Sequence, residues 1–154
     1  MLSVVKIKVR QKICASRERI WEIISDVDND TYFWRGITSI RNLSKNGDLI
    51  REVVLGTDNV CTQMITGWPV EKIKTSWIEG AIKGTKEISL ISLGRTTLLE
   101  IQMNYEFPGV GRSDSKVLAK LFQNEAELAA DLIKVVSEGY EYESAPMAGK
   151  LWVN

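Results

Sequence analysis

The stretch Thr97-Leu98-Leu99-Glu100-Ile101-Gln102-Met103-Asn104-Tyr105-Glu106-Phe107 leads through Pro108-Gly109-Val110-Gly111 into an amphipathic run that ends at Gly139. Thr97, Leu99, Ile101, Met103, Tyr105 and Phe107 share one face of a strand, and Glu100, Gln102, Asn104 and Glu106 share the other. Such alternation describes an antiparallel strand with one buried and one solvated face. Beyond the loop, Ser113 or Asp114 caps a helix predicted over 114–138. Leu118, Leu121, Phe122, Leu128, Ala129, Leu132, Ile133 and Val136 cover one side of its projection; Lys120, Glu127, Asp131 and Lys134 cover the other. A helix this long with one apolar side needs a broad apolar surface, and the sheet containing the strand is the candidate.

Upstream, β signals run back to Ile37. Asn46-Gly47 tolerates the positive φ of a tight hairpin, which predicts strands over 37–44 and 48–56. Further strands are predicted over 59–67 (broken by Gly67-Trp68-Pro69), 71–79 and 84–93. At the N-terminus Val5, Ile7, Val9 and Ile13 alternate with Lys6, Lys8, Arg10 and Lys12, a strand whose lysines suit a sheet edge. Ser16 then opens a helix carrying Ile20, Trp21, Ile24 and Val27, and a short second helix or turn carries Tyr32, Phe33 and Trp34 up to Gly36. The expected fold is α+β: a curved seven-stranded antiparallel sheet wrapped around a long C-terminal helix, with two short helices between the first and second strands. Residues 1–139 make one domain. The tail 140–154 holds Tyr140, Tyr142, Met147, Leu151 and Trp152 and is expected to dock in part.

Composition narrows the function. The 154 residues carry 20 Lys+Arg and 20 Asp+Glu, so no global basic field recruits nucleic acid. There is no histidine, which removes Ser-His-Asp and Cys-His nucleophile systems and His-ligated metal sites. Cys14 and Cys61 form no CxxC pair and read as small core residues. Asp26, Asp28 and Asp30 lack the glycine and terminal Glu of a calcium loop and read as a turn-rich helix end. The N-terminus has no signal-peptide pattern and no apolar run reaches the length of a membrane span, so a cytoplasmic protein is expected.

Ala15-Ser16-Arg17-Glu18-Arg19-Ile20-Trp21-Glu22-Ile23-Ile24-Ser25-Asp26 resembles the first-helix signature of the START-like, Bet v 1-like superfamily of polyketide cyclase/dehydrase and lipid-transport proteins. Phe33-Trp34-Arg35-Gly36-Ile37 is similar to that superfamily's aromatic segment before the second strand. The resemblance implies the helix-grip fold over residues 1–139 and a cavity between sheet and C-terminal helix. It implies a hydrophobic or amphipathic small-molecule ligand and no cofactor.

Glu125 lies within the apolar side of the long helix, where a carboxylate loses hydration unless it is paired or protonated. It is read either as a polar anchor facing a cavity or as a residue reaching water where the helix bows away. Arg41 and Arg51 are its candidate partners, each alternating with apolar residues. Tyr105, beside Met103 and Phe107, is either core or a hydroxyl offered to a ligand. Phe33 and Trp34 are a gate or wall at the rim, or Trp34 plugs the grip. Met64, Thr66 and Trp68 share one face of their strand, and Ile73, Thr75 and Trp77 share one of theirs; one set lines the interior. With Leu99, Ile101, Leu118, Leu121, Phe122, Leu128 and Leu132 these complete the candidate ligand-binding residues, and no metal ligands are among them. Three functions compete. The first is binding or carriage of a lipid, quinone or polyketide-like molecule, by a monomer or homodimer with transient membrane contact. The second is a cyclase or dehydratase using Glu125 and Tyr105. The third is a protein-interaction module with a filled core. Without histidine the balance falls on binding.

Overall fold

The computed structural model describes residues 4–45 and 47–139. Strand β1 (Val4–Ile13) leads into helix α1 (Arg17–Ile24), a 3-10 turn (Val27–Asn29) and helix α2 (Asp30–Phe33). Strands β2 (Ile37–Ser44), β3 (Leu49–Leu55), β4 (Asn59–Trp68), β5 (Lys72–Glu79), β6 (Lys83–Ser92) and β7 (Thr97–Glu106) follow, and helix α3 (Arg112–Ser137) closes the described chain. All strand pairs are antiparallel, in the order β1-β7-β6-β5-β4-β3-β2. Seven strands around one long helix make the helix-grip arrangement expected from the sequence. The tail 140–154 lies outside the described residues.

Local rules explain the elements. Ser16 caps α1 by accepting the Arg19 N–H at 3.1 Å. The concave face of the sheet is the one the alternation of β7 announces: Thr97, Leu99, Ile101, Met103 and Tyr105 are buried, and Phe107 continues the row past the strand's end. On β3 the inner set is Arg51 and Val53, on β4 Cys61, Gln63 and Ile65, and on β5 Ile73, Thr75 and Trp77. Trp77 therefore belongs to the interior. Trp68 ends β4 on the other face, 40% exposed, with the Lys72 ammonium 4.8 Å from its ring.

Helix α3 turns its expected residues Ala129 and Ile133 inward, with Leu118, Phe122, Leu132 and Val136 packed against the core, and departs from the expected face at Leu121, Leu128 and the N-cap. Its N-cap is Gly111, which offers no side-chain cap, in place of Ser113 or Asp114. Its buried residues are Ser115, Ala126, Ala129, Ala130, Ile133 and Ser137. Small side chains let the helix backbone approach the sheet closely, so the burial centre falls on the alanines and away from the leucines. Leu121 and Leu128, expected inside, are 57% and 43% exposed, and Leu118 and Leu132 are half-buried. The C-terminal half is pinned. Gln11 donates to Asp131 at 2.7 Å, the Cys14 N–H donates to Glu138 at 2.6 Å, and Lys134 donates to the Lys12 carbonyl at 3.3 Å. Arg19 reaches the Val136 and Ser137 carbonyls, both at 3.4 Å, placing a cation at the negative end of the helix dipole.

Gly84 of β6 has φ +121°, and a Cβ there would collide with the Asn104 carbonyl of β7. Gly84→Ala is expected to destabilise the protein by about 3 kcal/mol in urea unfolding, through backbone strain and a split β6–β7 ladder. An unchanged midpoint would contradict this close approach.

Candidate functional site

A row of side chains crosses the concave face from strand to strand. Arg51 pairs in register with Gln63, Gln63 with Trp77, Trp77 with Gly84, and Gly84 with Tyr105. Period-2 alternation places all five on one face. Gly84 has no side chain, and Trp77 and Tyr105 meet edge-on across it with ring centroids 5.9 Å apart. The neighbouring row places Thr75, Lys86 and Met103 side by side. Polar groups thus enter the interior of an apolar sheet in two adjacent rows.

Arg51 is fully buried and completely engaged. It donates to Asp30 Oδ2 at 2.7 Å, to Gln63 Oε1 at 2.9 Å and to the Val27 carbonyl at 2.9 Å. Burial still pushes the Asp30 carboxyl above its ordinary range, against the pull of Lys86 and Arg51. This pair corrects the expectation that Arg51 serves Glu125. Arg41 is corrected as well: it is exposed and pairs with Glu52 at 3.1 Å. Asp30, read from the sequence as part of a turn-rich helix end, is the carboxylate that holds Arg51.

Lys86 was not among the candidates. It is 4% exposed, and its Nζ lies 3.5 Å from the centroid of the Trp34 ring. A cation over an indole face is attracted by the ring quadrupole. Burial nonetheless pushes the amine down to about 8, while Asp30 and Glu125 pull it up. The signal was present in the sequence: Lys86 is in phase with the buried Ile88 and Leu90 of the same strand. Trp34 and Phe33, predicted at a rim, are both buried, with Trp34 forming the bed for Lys86.

Glu125 comes from α3 and packs against the backbone at Gly36, where any Cβ would strike its carboxylate. Burial raises its pKa, opposed by Lys86 and by hydrogen bonding from the Gly36 backbone. It also lines a pocket of about 420 Å³, with Leu55, Ile82, Phe107, Leu118 and Phe122 among the apolar walls and Val110 and Leu121 towards the outside. Among the described residues, Asn59 is the other polar side chain on the wall, and Glu125 is the sole charged one. Tyr105 stands behind Phe122, edge-on at 5.3 Å, and burial holds its phenol well above the ordinary range. It is therefore a hydrogen-bond donor and not a base near neutral pH. Among the described residues, Gln63 Nε2 is buried without an acceptor, and the Trp77 indole lies against the Tyr105 hydroxyl, where its N–H opposes the effect of burial.

Of the candidate binding residues, the structure brings Leu118, Leu121, Phe122 and Glu125 to the pocket wall. Trp77, Met103 and Tyr105 form the interior behind it, Leu99 and Ile101 are core along β7, and Trp68 and Leu128 face outward. Gly36, Gly56, Ala81 and Ile82, which build the opposite wall with Asn59 at the start of β4, come from turns that strand periodicity does not address.

The lowered Lys86 amine has a consequence for stability. In the unfolded chain it titrates near 10.5. The folded state therefore disfavours its charge at every pH below about 8, and that penalty lifts as pH rises from about 8 to 10.5. Over this window the wild type is expected to gain on the order of 3 kcal/mol relative to Lys86→Met, measured by urea unfolding at stepped pH. A constant difference between the two proteins would contradict it.

No family model matches the sequence, and no curated protein matches it. Solved structures do. The Zhui aromatase/cyclase from a Streptomyces species superposes with a TM-score of 0.69 at 16% identity, covering 88% of this chain and 93% of that one. The di-domain ARO/CYC StfQ from the steffimycin biosynthetic pathway gives a TM-score of 0.75 at 10% identity, over 90% of this chain and 52% of that one. A START superfamily protein from Mycobacterium smegmatis gives 0.64 at 22% identity, over 83% and 96%. At these identities the likeness is one of fold. The chain has the START-like, helix-grip fold that its first-helix segment and element order resemble.

Proposed function

We propose that the protein binds a hydrophobic small molecule in the pocket between the sheet and the N-terminal half of α3. The observation that carries this reading is the pocket wall itself, apolar throughout except for Asn59 and Glu125. Apolar walls remove ligand surface from water, at about 25 cal/mol per Å². A single carboxylate among them orients the ligand without providing much affinity, the usual division of labour in a small-molecule site. Entry lies past Val110 and Leu121, where the loop before α3 meets the helix. No helix among the described residues is long and apolar enough to cross a membrane.

A second reading is a cyclase- or dehydratase-like reaction on such a ligand. Two observations favour it. The fold is shared with aromatase/cyclases, and Tyr105 and Glu125 are close enough for the carboxylate to act on the phenol. In that case Glu125, the group on the wall, moves the proton, and Tyr105 acts on it from behind Phe122.

Ala81 sits on the wall and is exposed at its rim. Ala81→Trp is expected to fill the pocket and weaken binding of an apolar fluorophore at least tenfold, with the unfolding midpoint unchanged; equal binding by variant and wild type would place the ligand elsewhere. Native mass spectrometry of gently purified protein tests the same reading on co-purified ligand.

A further inference from the structure

Among the described residues, a ligand in this pocket meets one charged side chain, Glu125, and behind it lies a buried cation, Lys86, that Asp30 also shares. Arg51, the other buried cation of the interior, gives its donors to Asp30, Gln63 and Val27. Lys86 has no such set. It lies on the Trp34 ring within electrostatic reach of both Asp30 and Glu125, and it is not part of the pocket wall. Glu125 is held in place by its fit against Gly36. We propose that the pocket selects apolar molecules bearing one uncharged hydrogen-bond donor, a hydroxyl or an amine N–H, and rejects apolar carboxylates, because the carboxylate of Glu125 stands on its wall, and that Lys86, on the Trp34 ring behind that wall, tunes this preference. This rests on the binding reading above and names its ligand class.

A hydroxyl or N–H donates to a Glu125 carboxylate oxygen, and to the ionised carboxylate that hydrogen bond is charge-assisted and worth more than a neutral one. A ligand carboxylate brings a second negative charge to a site of low dielectric, where like charges are costly. Among the described residues the one side-chain donor on the wall is the neutral Asn59 amide, and the buried cations Lys86 and Arg51 are not on it. Lys86 is thus a positioning residue: it acts on the ligand through Glu125.

Three probes of one ring system separate the terms: anthracene, 1-aminoanthracene and anthracene-9-carboxylate, titrated by fluorescence into the wild-type protein at pH 7.5. The expected order is amine, then hydrocarbon, then carboxylate, with the amine roughly tenfold tighter than anthracene. Glu125→Gln is expected to lose the discrimination against the carboxylate, read as the ratio of carboxylate to anthracene affinity within the variant. The preference for the amine is expected to fall as pH drops and Glu125 takes up its proton. The groups that govern this titration are Lys86, with Asp30 and Arg51 behind it, Tyr105, and the Gly36 backbone. Lys86→Met removes the counterion and is expected to move the midpoint of that loss to higher pH, which a merely structural lysine would not do. Equal binding of amine and hydrocarbon, or tightest binding of the carboxylate, overturns the proposal while leaving the binding reading intact. If none of the three binds, or if Ala81→Trp binds all three unchanged, the binding reading itself fails. Should Lys86→Met not fold, the wild-type order and Glu125→Gln still decide.

Discussion

The interior of this protein is organised by a cost it has to meet: two buried cations, Arg51 and Lys86, lie within electrostatic reach of two partly buried carboxylates, Asp30 and Glu125. Removing such groups from water is unfavourable by several kcal/mol each unless they are paired and hydrogen-bonded. Arg51 meets the requirement with three partners and ties α2 to β3 and β4. Much else follows from it. The turn and short helix from Val27 to Phe33 are held against the sheet because their carbonyl and carboxylate are the partners Arg51 needs. Trp34 then falls into place as the surface on which Lys86 rests.

Helix α3 solves a different problem. It must approach a concave sheet and still leave room at one end. Alanines 126, 129 and 130 allow the approach, and the larger Leu118 and Phe122 stand where the pocket opens. Hydrogen bonds from β1 and α1 fix only the later turns of the helix. The fold thus places its rigidity at one end of the helix and its pocket at the other.

Much of the architecture was legible because strand alternation is a strict physical signal. The inward set of β7 was readable residue by residue, and every strand lay within a residue or two of its predicted limits. The helix was readable in extent but only in part in rotation, because weight fell on leucines when close packing favours alanines. That is why Leu121 and Leu128 were placed inside. At the site, Glu125 stood out as a carboxylate on an apolar face. Its neighbours did not. Lys86 is in phase with Ile88 and Leu90, yet a lysine on a strand is ordinarily solvated, and only the sheet's curvature over Trp34 buries it. Asp30 was hidden among turn-forming residues, and the glycine and turn positions of the pocket wall carry no periodicity to read.

The contact between Lys86 and Trp34 gives the protein an internal optical probe. A charge 3.5 Å from the centre of an indole ring perturbs its excited state through the electric field it imposes. The ammonium loses that charge near pH 8, within the range where the fold is easily studied. The emission of Trp34 therefore carries a direct record of the proton on the buried amine. Anything that alters the electrostatics behind the pocket wall is written into the protein's own fluorescence, with no label attached.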